Sequence, residues 1–258
     1  MKKILSSIVI AIFTLLCVTS CKEEKTTEIT ISAAASLKNS LEEIIQKFEH
    51  ENKNIKINAN FGGSGALKNQ IIAGAPVDIV FFASQSDLDD LNKKNMIDPK
   101  YHGDILKNRL VVAGKREISS LNDILEDKIA IGTPETVPAG RYAKQALTKN
   151  NIWDKIEPNI IFTKDVRSAA QYVDLSEVDY AIIYKTDAKA LKNTDVVYII
   201  PEEFHNPIVY SYGIIQGHNS PENIKFYNFL SSEDAQKIYK KYNFEIADTK
   251  GNLWMHFL

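Results

Sequence analysis

The stretch IKINANFGGSGALKNQIIAGAPVDIVFFAS, residues 55–84, decides the fold class. Residues 55–61 alternate apolar and polar side chains, as a half-buried strand requires. Gly62-Gly63-Ser64-Gly65 interrupts the alternation, and residues 66–73 take up helical spacing. The run 78–83 (DIVFFA) is short and largely apolar, which suits a strand covered on both faces in a parallel sheet. A strand, a glycine-rich turn, a helix and a second strand in this order predict a βαβ unit.

The same alternation continues on both sides. Residues 28–34 read as a strand, and Ser36 is expected to cap a helix carrying Leu37, Leu41, Ile44, Ile45 and Phe48. Ser86 is expected to cap the next helix, which runs to about residue 94. Strands are predicted over 109–114, 128–132, 159–163, 179–184, 196–200 and 208–215. Helices are predicted over 120–126, 139–150, 166–173, 221–230 and 233–241. There is no internal repeat, low-complexity tract or Pro/Gly-rich linker. Two lobes would therefore be joined through ordinary strands, near 110–115 and 206–212.

Composition agrees with a globular α/β chain. Of 258 residues, 44% are hydrophobic and 25% charged, and 31 basic against 33 acidic side chains leave a net charge of -2. No excess of positive charge is present to displace phosphate counterions, which argues against non-specific nucleic-acid binding. After an export signal is removed, the length suffices for two lobes with separate cores.

The N-terminus reads as an export signal. Lys2 and Lys3 precede a nearly apolar run over 4–16, too short to span a bilayer. It ends in Val18-Thr19-Ser20-Cys21, which resembles the lipobox of bacterial lipoproteins, where the cysteine is lipidated and becomes the first mature residue. Both cysteines, Cys17 and Cys21, lie here, so the exported chain would hold no intramolecular disulfide. Residues 1–20 are assigned to the signal and 21–27 to a polar tether; the mature chain then carries 29 basic and 33 acidic residues. The other reading is an ordinary secretory signal with an incidental cysteine.

Three turns between strands and helices are rich in small residues: Ala33-Ala34-Ala35-Ser36-Leu37, Phe61 through Ala66, and Val137-Pro138-Ala139-Gly140. Each is expected to place a helix N-terminus at the carboxyl end of a strand, where open α/β sheets bind ligands. Helix N-termini bring unpaired N–H groups and partial positive charge, and so favour anions. Ser36 and Ser64 add hydroxyl donors, and the glycines open the backbone to close approach. Plain capping would equally explain any one of these serines.

Five segments then fall in a recognisable order: ITISAAASL (29–37), FGGSGALKNQIIAGAPVDIVFFAS (61–84), VPAGRYAKQAL (137–147), KDVRSA (164–169) and AIIYKTDA (181–188). Together they resemble the periplasmic molybdate-binding proteins of ABC transporters, over roughly residues 28–245. The resemblance implies the α/β fold of type II periplasmic binding proteins: two α/β lobes, two crossing segments and a ligand cleft between the lobes. On this sequence the lobes would be 28–109 plus 209–258, and 110–208.

The resemblance also implies an oxyanion site of neutral donors. Ser36 and Ser64 would act through hydroxyls, Ala139 and Val166 through backbone N–H groups, and Tyr184 through its phenol. The family's second loop is often serine-rich, whereas here Gly63 and Gly65 flank Ser64 as its only hydroxyl. The implied ligand is molybdate, with tungstate beside it, and no cofactor or direct metal ligand is required. The implied partners are an ABC permease and, through the lipid on Cys21, a membrane; a monomer is expected. None of the five positions is a carboxylate, so hydrogen phosphate, which needs an acceptor for its proton, should be rejected. A receptor preferring tungstate or sulfate is the alternative within this class.

Arg167 adjoins Val166 and reads as a solvated arginine at a helix start, and Asp78 and Asp187 as carboxylates bracing loops. Gly62-Gly63-Ser64-Gly65-Ala66 approaches the G-x-S-x-G nucleophile elbow. Asp78 or Asp187, then His205 or His218, follow in hydrolase order, which makes a serine hydrolase using Ser64 the rival from another class. Both histidines lie in sequences that read as surface turns. The five histidines show no metal-binding spacing, and no nucleotide-binding motif is present.

Overall fold

The computed structural model describes residues 26–247. The expected export signal, Cys21 and the C-terminal segment 248–258 lie outside these residues.

The chain forms two mixed sheets. Strands β1 (Thr27–Ala34), β2 (Ile55–Gly62), β3 (Ile79–Phe82) and β4 (Ile97–Lys107) join β10 (Val209–Ile215) and β11 (Glu245–Ile246) in the order β11-β4-β10-β3-β1-β2. The second sheet takes β5 (Leu110–Gly114), β6 (Ile129–Gly132), β7 (Ile160–Thr163), β8 (Tyr180–Tyr184) and β9 (Asp195–Ile199) in the order β7-β6-β8-β5-β9. The two-lobed α/β class is as expected, but the sheets are not purely parallel. β2, β1 and β3 run parallel, as do β7, β6 and β8. β10 is antiparallel to β3 and β4, and β5 is antiparallel to β8 and β9.

Helices cover the sheets: α1 (Lys38–Glu51), α2 (Ser64–Ile72), α3 (Gln85–Lys93), α4 (Pro138–Lys149), α5 (Trp153–Ile156), α6 (Val166–Asp174), α7 (Lys185–Ala188), α8 (Pro221–Leu230) and α9 (Glu233–Lys241). α1 shows why the pattern folds. Leu41, Ile44, Ile45 and Phe48 fall on one face and are buried. Each such side chain contributes roughly 1.5–3 kcal/mol on leaving water. Phe48 closes the stripe against Phe226 and Phe229 of α8, with centroids 4.9 and 5.2 Å away.

Two expected caps fall elsewhere. Ser36 sits inside a 3-10 turn, Ala35–Leu37, with its hydroxyl turned to Tyr210 and not to the helix. Ser86 lies in the first turn of α3, where the N-cap is Ser84.

The chain crosses between the sheets twice, at 108–109 and at 200–208. The crossings touch: Asn108 N donates to Ile208 O at 3.3 Å, and Ile200 N to Leu110 O at 3.0 Å. No helix among the described residues is long and apolar enough to cross a membrane.

Candidate functional site between the two sheets

Four helical starts converge on the gap between the sheets: the 3-10 turn before α1, and the first turns of α2, α4 and α6. They line a cavity of about 10 Å³, roughly the space one water requires. Ser36, Ser64, Ala139, Val166 and Tyr184 all line it. The first sheet's lobe contributes Ser36 and Ser64 with Ala34, Ala35 and Ala83, and the second contributes Ala139, Val166 and Tyr184 with Val137 and Pro138. A tetrahedral oxyanion is larger than one water, so its admission requires the lobes to part.

Each polar group is held in a definite way. Ser64 Oγ accepts from Ala83 N at 3.0 Å, which engages one lone pair and leaves its hydrogen free. Ser36 Oγ lies 2.8 Å from the Tyr210 hydroxyl. Ala139 and Val166 stand in the first turns of α4 and α6, where N–H groups have no partner within the helix. The Tyr184 hydroxyl is buried and has no partner. Burial pushes its pKa well up, so it remains a neutral donor. No carboxylate lines the cavity.

The glycines serve the approach of one lobe to the other. A Cβ on Gly63 would sit 2.8 Å from Thr136 O, and one on Gly65 3.0 Å from Thr136 Cα and O. Gly65 N donates across the gap to Thr136 O at 3.0 Å. Gly140 allows α4 to lie on β6, because its Cβ would fall 1.7 Å from Gly132 O.

Charged groups surround this neutral centre. Arg141 of α4 reaches across to Ser86 Oγ at 3.1 Å, Ser84 Oγ at 3.3 Å and Asp87 Oδ2 at 3.4 Å. Asp87 is buried and also holds Lys68 Nζ at 2.8 Å. Arg167 is not a solvated side chain: its Nη1 donates across the gap to Asn39 Oδ1 at 3.1 Å, and its Nε lies 3.6 Å from Asp187 Oδ1. Asp187 braces no loop. Both its oxygens are buried without a hydrogen bond, and burial raises its pKa to about 7 against the opposing effect of Arg167. Asp78 does brace, accepting from Thr30 N and pairing with His218 Nδ1, both at 2.7 Å.

A hydrolase triad is not assembled. Ser64 meets the end of β3 at Ala83, whereas the Asp78–His218 pair lies before its start, roughly 15 Å away along a strand. His205 is occupied with Asn206 O at 2.7 Å. Among the described residues no three His, Cys, Asp or Glu side chains are placed to hold a metal ion.

Four residues around the site carry no signal in the sequence: Tyr210 and Asn108 behind Ser36, and Arg141 and Asp87 at the rim. Their partners are remote in the chain, Ser36 and Tyr210 being 174 residues apart.

Two mixed sheets, two adjacent crossings and a small cavity of neutral donors between the lobes define a two-lobed binding protein. Residues 29–245 match the model of the bacterial extracellular solute-binding proteins, and the chain belongs to that family. A Bacillus subtilis relative, YvgL, provisionally named an ABC transporter substrate-binding lipoprotein, is 39% identical over 87% of this chain and 89% of its own. The molybdate-binding protein ModA of Escherichia coli is 35% identical over 85% of this chain and 89% of its own. A solved Clostridium difficile substrate-binding domain, provisionally ascribed to a molybdenum ABC transporter, superposes with a TM-score of 0.67 at 33% identity, covering 86% of this chain and all of that one. The family is one of transport receptors and not an enzyme family.

Proposed function

We propose that this chain is the extracytoplasmic receptor for molybdate, and also for tungstate, of an ABC transporter. The observation that carries the reading is the cavity, into which Ser36, Ser64, Ala139, Val166 and Tyr184 bring neutral donors from both lobes and no carboxylate intrudes. A fully deprotonated tetrahedral dianion asks for donors alone. Fixed dipoles in a closed, dry site can replace its hydration without a counter-charge. The protein grips the oxygens, so neither a cofactor nor a direct metal ligand is needed. The lobes close over the anion by bending at 108–109 and 200–208, and the closed form presents it to a permease. The names of the two relatives support the same substrate and partner. One chain supplies both walls of the site, which favours a monomer. The Val18-Thr19-Ser20-Cys21 motif supports a lipid anchor on Cys21 that holds the receptor at the outer face of a membrane.

The test is calorimetric titration of residues 22–258 with molybdate, tungstate, sulfate and phosphate. Tight one-to-one binding of the first two, with little heat from the others, is expected. Tight sulfate binding would keep the donor chemistry and move the substrate. No binding of any oxyanion would overturn the receptor, and labelling of Ser64 by a fluorophosphonate would replace it with a hydrolase.

A further inference from the structure

The hydrogen bonds behind Ser36 form a directed chain. Asn108, in the first crossing, fixes the direction. Its Oδ1 accepts from Arg109 N at 2.9 Å, so its NH2 must face inward. One hydrogen of that NH2 goes to Thr186 Oγ1 at 2.8 Å, and the other to the Tyr210 hydroxyl oxygen at 3.1 Å. Tyr210 is fully buried and keeps its proton, because burial pushes its pKa well up. That proton needs an acceptor, and Ser36 Oγ stands 2.8 Å away. Were Ser36 to donate instead, the phenol hydrogen would be buried unpaired, a costly arrangement. The bond therefore runs from Tyr210 to Ser36. The hydrogen of Ser36 is left to the cavity that Ser36 lines.

Ser64, on the facing loop, is set the same way by different means, since Ala83 N donates to its oxygen. Each serine could still turn its second lone pair to a ligand. Its own hydrogen would then have no acceptor, so each hydroxyl is biased to donate.

We infer that Asn108 and Tyr210 are specificity-determining positioning residues: they orient the Ser36 hydroxyl as a donor and thereby set the receptor against oxyanions that carry a proton. The inference rests on the proposed oxyanion site. The disfavoured ligands are hydrogen phosphate and its arsenic analogue, whose O–H must find an acceptor, whereas molybdate, tungstate and sulfate bear none at neutral pH. Neither residue lines the cavity, so both act through Ser36.

The test compares molybdate and inorganic phosphate affinities at pH 7 for the wild type, Tyr210→Phe and Asn108→Asp. In Tyr210→Phe the Ser36 hydrogen still has no acceptor but the anion, so the molybdate-to-phosphate ratio should hold. In Asn108→Asp the new carboxylate takes the proton of Tyr210, Ser36 donates to Tyr210 and turns its oxygen to the ligand, and the ratio should fall by about tenfold, the size of one hydrogen bond. Equal loss for both anions in Asn108→Asp, with the ratio unchanged, would reduce these residues to structural support and overturn the inference. Should either variant fail to fold, neutron diffraction of the deuterated wild type decides the polarity without a ligand. A deuteron on the Tyr210 oxygen pointing at Ser36 is expected, and one on Ser36 pointing at Tyr210 overturns the inference. A wild type that binds no oxyanion would instead overturn the receptor and the selectivity together, whatever the deuteron position.

Discussion

The cavity and its rim use opposite chemistry to join the same two lobes. Inside, the polar groups are hydroxyls and backbone N–H groups, and the carboxylates are kept out. At the rim, two arginines of one lobe span the gap, Arg141 to Ser84, Ser86 and Asp87, and Arg167 to Asn39. The division has a physical reason. A charge in the cavity would be stranded in a dry site whenever the ligand was absent, a heavy cost without a partner. A hydroxyl can be rehydrated cheaply when the lobes open. At the rim each arginine keeps about a quarter of its side chain exposed, 28% for Arg141 and 27% for Arg167, so its contacts can form and break at smaller cost even though Asp87 is buried. On the proposed function, dipoles would hold the anion and charges would tune the closure.

Asp187 is the place where this division is most easily broken, being a buried carboxyl beside the rim arginine Arg167. Its folded pKa of about 7 is raised mainly by burial. The folded state thus holds the proton more tightly than the unfolded chain, and stability falls as pH rises from about 4 to 7 and levels off above. Asp187→Asn should match the wild type near pH 4 and exceed it by about 2–4 kcal/mol at pH 8. Denaturant melts across this range check it; an advantage that does not grow with pH would mean Asp187 stays ionised throughout.

The next effect lies inside the cavity. Ser64→Ala removes a proposed donor to the anion and orphans Ala83 N, so molybdate binding should weaken by roughly 1.5–3 kcal/mol. Stability should fall as well. Titration and melting of the same variant separate the two losses. Gly63→Ala removes no donor. Its φ of -65° suits any residue, yet the new Cβ would press on Thr136 O, Val137 Cγ2 and Lys164 O, all on the other lobe. Affinity should drop by about 1–3 kcal/mol, with the melting temperature of the unliganded protein unchanged. A fall in that melting temperature would show that the lobes are pressed together even without ligand.

The sequence made the parallel parts of each sheet legible, because β3, β6 and β8 are short apolar runs and β1 and β2 lead into small-residue turns. It did not disclose β4, where Pro99, Lys100, Gly103 and Asp104 break the alternation, and half-exposed positions leave the strand little apolar pattern. Nor could it give the direction of β5 and β10. Each begins just after a crossing, so its direction follows from where the chain enters the sheet and not from its own side chains. Loop chemistry, being local, pointed to Ser36, Ser64 and the turn at Ala139, whereas Val166 and Tyr184 came only from the family resemblance. Tyr210, Asn108 and Arg141 were not visible, because their roles depend on contacts 50 or more residues away, which no periodicity records.

The smallest effect tests the rim alone. Arg141 makes long contacts, 3.1–3.5 Å, from a partly exposed side chain. Such contacts contribute about 0.5–1 kcal/mol each at best, and salt weakens them. Arg141→Gln should therefore weaken molybdate binding only about three- to fivefold, chiefly through faster release, since it loosens the closed form without touching a donor. Asp87 keeps Lys68 as a partner in that variant, so the fold should hold. Stopped-flow release at 20 and 500 mM salt separates the possibilities. Closure tuned by the rim predicts that added salt speeds release in the wild type and leaves the variant nearly unaffected. If the two respond alike, Arg141 contributes nothing to closure, and the neutral cavity alone holds the lobes together.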